Sequence, residues 1–142
     1  MTPEQVALVT ASVDAIRPRM TEVAAAFYDR LFTIAPEARE LFSRDIATQS
    51  EKFGRELDEI VAVIPTFGEF VDRTAALGAR HATYGVRPSH YELMRDVLLD
   101  TLAVSLGDAF TEDTREAWVV AFSLVAESMQ LGAQAKAAQQ RH

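Results

Sequence analysis

The 142-residue sequence contains no cysteine. That absence excludes disulfides, thiolate nucleophiles and cysteine-ligated metal sites together, so any metal must rest on histidine, carboxylate or a prosthetic group. Positive charge is scarce as well: 14 lysines and arginines face 21 aspartates and glutamates, a net charge of −7. Such a chain repels nucleic acid and anionic membrane, and neither is expected as a partner. Long apolar runs are lacking too. The longest near-continuous one, residues 117–126, falls far short of the roughly twenty residues a membrane helix needs. The N-terminus has neither the basic start nor the apolar core of a signal peptide, so the expected compartment is the cytoplasm. Strand-type alternation, internal repeats, linkers and a glycine-rich phosphate loop are likewise missing.

What is present is helical periodicity on an ordinary soluble composition, 49% apolar and 25% charged. The length suits one domain spanning 1–142 with a single core. Thr2-Pro3-x-Gln5 reads as a capping box, and Val6, Val9, Val13 and Ile16 continue that helix until Pro18. A second helix over 20–32 carries Val23, Phe27 and Leu31 on one stripe, and Pro36 opens a short turn ending at Leu41-Phe42. Asp45 or a neighbour caps the next helix, whose stripe is Gln49, Phe53, Leu57, Ile60 and Val61, with Pro65 after it. A helix over about 67–81 follows. Ser89-x-x-Glu92 then predicts a capping box for a helix burying Tyr91, Met94, Leu98 and Leu102 and stopping near Gly107. Thr111 or Asp113 starts the last helix, with Trp118, Phe122, Val125 and Met129 inward. Its tail from about Gln134 loses its apolar face and is expected to fray. Six or more helices of uneven length predict an orthogonal or bundle-like all-α packing rather than a regular four-helix bundle.

His81 is the most informative residue. Phe67, Phe70, Val71, Thr74, Leu77 and Gly78 precede it at helical spacing, so the imidazole ends an apolar stripe. The helix signal then dissolves into Tyr84-Gly85-Val86-Arg87-Pro88. A histidine so placed is either a satisfied core residue or an axial ligand to heme iron, with heme filling the slot. The other candidates are equally two-sided in isolation. Tyr28 and Phe42 read as core aromatics, Gln49 as a helix-start polar residue and Lys52 as a solvated cation. His90 and His142 read as exposed.

Their spacing joins them. The chain resembles the globin family, specifically bacterial single-domain globins and the globin domain of flavohemoglobins, from about Pro3 to Met129. The residues that carry the resemblance begin with Phe27-Tyr28-x-x-Leu31-Phe32, Pro36-Glu37, Leu41-Phe42 and Gln49-x-x-Lys52-Phe53. Arg80-His81-x-x-Tyr84-Gly85-Val86-x-Pro88-x-x-Tyr91 and Ala117-Trp118 complete the set. Tyr28 and Phe42 stand 14 residues apart, Gln49 and His81 32, His81 and Tyr91 10. The short segment between Phe42 and Gln49 leaves a choice, because an ungapped match would put Lys52 in the distal position. It would also turn Glu56 toward heme, an unpaired buried carboxylate costing several kcal/mol. Gln49 is therefore taken as distal, with Phe53 toward the porphyrin and Glu56 outside.

The resemblance implies an all-α globin fold, three helices over three, around heme b (iron protoporphyrin IX). His81 becomes the axial iron ligand, and Tyr28 and Gln49 the distal pair that stabilises a bound gas. Phe42, Phe53, Val86, Tyr91, Met94 and Leu98 become walls of the cofactor site, with Lys52 and Arg80 near the heme propionates. Dioxygen held there is partly negative. Each donated hydrogen bond contributes roughly 1.5–3 kcal/mol, about ten- to a hundredfold in residence time. The expected function is tight O2 binding and reaction with nitric oxide to give nitrate. Electrons would come from a separate reductase, since the chain ends where a flavohemoglobin begins its own. In the family the axial histidine pairs with a tyrosine, here Tyr91, and with a last-helix glutamate whose position is Ala133. Glu127 does not match by register, so His81 should have less imidazolate character. Two rival readings remain: a heme-based gas or redox sensor acting through a partner, and a heme-free interaction domain, which a missing Soret band would reveal. Exposed apolar residues such as Leu131 leave monomer and homodimer both open.

Overall fold

The computed structural model describes residues 1–42, 45–83 and 86–140. Tyr84, Gly85 and His142 lie outside the described residues. The elements are α1 (Pro3–Ile16), a 3-10 turn (Arg17–Arg19), α2 (Met20–Ile34) and a longer 3-10 segment (Pro36–Leu41). They continue with α3 (Ile46–Val63), α4 (Phe67–Thr83), α5 (Pro88–Leu106), a turn (Gly107–Ala109) and α6 (Glu112–Gln140). Among the described residues no strand forms, and no helix is long and apolar enough to cross a membrane.

Capping chemistry sets most helix starts. Thr2 Oγ1 accepts from the Gln5 backbone N–H at 3.1 Å, while Gln5 Oε1 accepts from the Thr2 N–H at 2.9 Å. Asp45 accepts from the Thr48 N–H at 2.9 Å, and these bonds hold its carboxyl below the ordinary value. Thr111, rather than Asp113, caps α6 by accepting from the Thr114 N–H. The expected Ser89 box does not form. Pro88, whose fixed φ and missing N–H suit a first helical position, starts α5 two residues earlier, with Arg87 rather than Ser89 as its N-cap. His90 then fills the third position, its Nδ1 accepting from the Arg87 N–H at 2.8 Å. The last helix also runs through Gln140, past the point where fraying was expected. Ala133, Lys136 and Ala137 stay half-buried, so small residues and a lysine stem continue its packed stripe.

Two apolar clusters build the interior. One joins α1, α2, α5 and the first half of α6 through Val9, Val13, Phe27, Leu31, Leu102 and Trp118. The other, Ile60, Phe70, Leu77 and Met129, lies among α3, α4 and α6. Within it α4 and α6 meet backbone to backbone. A Cβ on Gly78 would collide with the Met129 carbonyl, and one on Gly132 with the Ala75 carbonyl. The Thr74 and Ser128 hydroxyls meet at 2.7 Å in the same seam. This contact fixes the helix that carries His81. Gly78→Val should therefore lower stability by about 1–3 kcal/mol or more through overpacking. Denaturant unfolding checks it against Ala76→Val on the exposed face of α4; equal midpoints would refute the close crossing.

Candidate cofactor site

A cavity of about 290 Å³ takes its walls from α2, α3, α4, α5 and α6. All eleven site residues expected from the sequence line it: Tyr28, Phe42, Gln49, Lys52, Phe53, Arg80, His81, Val86, Tyr91, Met94 and Leu98.

Helical spacing explains the convergence on α3. Gln49, Lys52, Phe53 and Glu56 stand at i, i+3, i+4 and i+7, one face of the helix. That register also places Glu56 on the cavity wall, where the sequence reading had left it outside. Its carboxylate is not stranded there. Glu56 Oε1 pairs with Arg73 Nε of α4 at 3.4 Å, and Arg73 also pairs with Glu59, which offsets the cost of burial.

On the α2 side the aromatics interlock. Phe27 stacks on Phe53 at 4.7 Å between centroids, and Tyr28 meets Phe42 edge-on at 5.2 Å. The buried Tyr28 hydroxyl accepts from Gln49 Nε2 at 3.2 Å. Of the two distal candidates, Gln49 and Lys52, Gln49 is the one that meets Tyr28. Burial pushes the Tyr28 phenol up to about 12, with the Gln49 bond pulling the other way. The hydroxyl therefore keeps its proton at neutral pH, and that proton is not spent on Gln49.

His81 sits half-buried near the C-terminal end of α4. Its Nδ1 donates to the Leu77 carbonyl at 2.9 Å, which leaves the lone pair of the neutral ring on Nε2. Burial holds the imidazole below its ordinary pKa. Lys52 and Arg80 push the same way, while the Leu77 bond and Glu56 oppose them. The His81 carbonyl in turn accepts from the Val86 N–H at 3.3 Å, tying the chain beyond α4 back to its end. Tyr91 is half-buried on the wall, its phenol raised by desolvation. Glu127 is exposed.

The sequence reading missed two wall residues of consequence. His90, read as exposed, is half-buried and lines the cavity. Its signal was the third position of a helix opened by Pro88. Trp118, read as core, also faces the cavity, and its buried Nε1 has no acceptor among the described residues.

Among the described residues no group of three histidines, cysteines or carboxylates could hold a bare metal ion. The His81 imidazole, with its Nδ1 taken by Leu77 in a largely apolar cavity, suits a metal that brings its other ligands with it. Heme iron does so. A globin family model matches residues 25–129. This chain belongs to the globin family. The all-α globin fold follows, and the family's heme fits the site its residues build. The globin is 28% identical over 136 residues to a flavohemoprotein of Deinococcus radiodurans, covering 91% of this chain and 33% of the relative. It spans about a third of the length of the flavohemoproteins it matches. A leghemoglobin of Psophocarpus tetragonolobus is 27% identical over 138 residues, covering 90% of this chain and 94% of its own. Among solved structures, an engineered carbene transferase, a nitric oxide dioxygenase candidate from Rhodothermus marinus, superposes with a TM-score of 0.84. It is 26% identical, with 100% of this chain and 99% of that chain covered.

Proposed function

We propose that this globin holds dioxygen tightly beneath Tyr28 and Gln49 and turns nitric oxide over to nitrate when a reductase supplies electrons. The observation that carries the reading is the Gln49 Nε2 to Tyr28 hydroxyl bond at 3.2 Å on the cavity wall. Heme, when bound, supplies the iron at which a diatomic gas is held. His81 anchors that group through Nε2, because Leu77 occupies Nδ1. Gln49 orients the Tyr28 hydroxyl, and the phenolic proton is left to donate to a gas with negative charge on its outer atom. Phe42, Phe53, Met94 and Leu98 would keep water from the site, which strengthens every hydrogen bond made there. Lys52 and Arg80, also on the wall, match the two carboxylates of a porphyrin.

The overall change balances as one nitric oxide, one dioxygen and one electron to one nitrate. Two features of other proteins support this reading: the flavohemoprotein relatives and the dioxygenase candidate of the same length. The test is to mix oxygen-saturated, reduced, heme-loaded protein with nitric oxide in a stopped-flow cell. Stoichiometric nitrate and oxidised protein within milliseconds are expected. Nitric oxide that stays bound without nitrate would end the dioxygenase reading.

A further inference from the structure

Away from the cofactor cavity, an open cleft of about 320 Å³ lies where the end of α1, the start of α2 and α3 meet. That volume falls within the roughly 300–1,000 Å³ of small-molecule sites. Ser50 lines the cleft at 1% exposure, and its buried hydroxyl has no partner among the described residues. The other hydroxyls so buried, on Ser12, Thr74, Thr101, Thr114 and Ser128, all have partners. A helical serine or threonine can return its proton to the carbonyl four residues back. Ser12, Thr33, Thr74, Thr101 and Ser123 do so at 2.7–2.9 Å. Ser50 leaves the Ile46 carbonyl unused. Alanine would fill the same place without stranding a hydroxyl, so packing alone does not explain this serine. An unmade hydrogen bond costs free energy and calls for an occupant of the cleft.

Charges on the rim select that occupant. Arg17 is committed: it donates to Asp14 at 2.7 Å and to the two Asp58 oxygens at 2.8 and 3.4 Å. Glu51 and Arg55, one turn apart on the α3 wall, form no ion pair or hydrogen bond among the described residues. Arginines and carboxylates therefore balance around the cleft. A simple anion meets Glu51 and Asp58 there, and a bare cation meets Arg17 and Arg55, so a ligand of one sign gains little. Among the described residues no three metal-binding groups converge either. A molecule carrying both signs satisfies what is left. Its carboxylate meets Arg55, its ammonium meets Glu51, and a polar atom reaches Ser50. Met20 supplies an apolar wall for a short side chain.

We infer that this cleft binds a small zwitterion of the free amino-acid type, with Arg55, Glu51 and the Ser50 hydroxyl as its recognition groups. The site stands apart from the gas chemistry proposed above, since none of its residues lines the cofactor cavity.

L-Alanine is the probe, with inorganic phosphate and methylammonium as single-charge comparisons. The heme-loaded, reduced, CO-saturated protein is diamagnetic and suits NMR. L-Alanine should give saturable shifts of the Ser50, Glu51 and Gly54 backbone amides. Arg55→Gln and Glu51→Gln, both at exposed positions, should each weaken binding about five- to tenfold. Ser50→Ala should weaken it about two- to tenfold. Without ligand, Ser50→Ala should melt no lower than the unaltered chain, because the hydroxyl it removes has no partner. A lower melting temperature would mean that the hydroxyl is already satisfied, and would overturn the assignment. Phosphate or methylammonium shifting the same amides as far as L-alanine would overturn it too, as would unaltered L-alanine binding in the Arg55 and Glu51 variants. No saturable shift at any soluble concentration would mean that the cleft holds water alone, and would end the proposal.

Discussion

His81→Gly should release heme at least about a hundredfold faster than the unaltered chain. Losing only the hydrogen-bonding partner of a metal ligand typically costs ten- to a hundredfold, and this variant removes the ligand itself. The apolar walls would still attract a porphyrin, so pigment need not vanish, but it would be loosely held and spectrally altered. Heme transfer to excess apomyoglobin gives the rate, and the reduced spectrum reports coordination. Imidazole added to the buffer should occupy the vacated space and restore much of both. The Leu77 carbonyl, which accepts from His81 Nδ1 at 2.9 Å, remains in place to orient the added ring. An unchanged release rate with an unaltered reduced spectrum would remove His81 from the site. Acid should act in the same direction. The folded-state pKa of His81 lies below the unfolded value, so the neutral ring favours folding above that value. This contribution fades as pH falls through the depressed one.

Periodicity made the helices legible in the sequence, as stripes on α2, α3 and α4. It left Tyr28, Gln49 and His81 two-sided one by one, and only the resemblance to the globin family joined them with Phe53 into one site. What escaped was decided by partners on other helices. Glu56 was turned outward in the sequence reading because an unpaired buried carboxylate is costly. Arg73, seventeen positions along, removes that objection, and nothing local to α3 announces it. The α5 start shifted because two signals overlapped, a serine box and a proline, and the backbone preference of Pro88 prevailed. His90 followed that shift from solvent to cavity wall. The tail of α6 lacked large apolar residues, yet Ala133, Lys136 and Ala137 stay half-buried there. Trp118 looked like core because its indole is apolar on every side but one.

Tyr28→Phe should speed dioxygen release about ten- to a hundredfold, the worth of one hydrogen bond to a partly charged acceptor. The substitution keeps the ring and hence its contacts with Phe27, Phe32, Phe42 and Phe53, so the packing of the wall is left nearly as it was. It deletes the hydroxyl and frees the Gln49 amide, which can then turn toward the gas and recover part of the loss. Tyr28→Phe combined with Gln49→Leu should therefore exceed the single variant, and the shortfall between them measures how far glutamine substitutes for tyrosine. Carbon monoxide separates polarity from shape. It carries little charge on its outer atom, so its release should change far less than that of dioxygen if hydrogen bonding is the cause. Equal acceleration of both gases would instead mean that the phenyl ring opens the cavity. Because the phenol titrates only near 12, oxygen release from the unaltered chain should be flat across the neutral range. A steep rise there would point to a different donor.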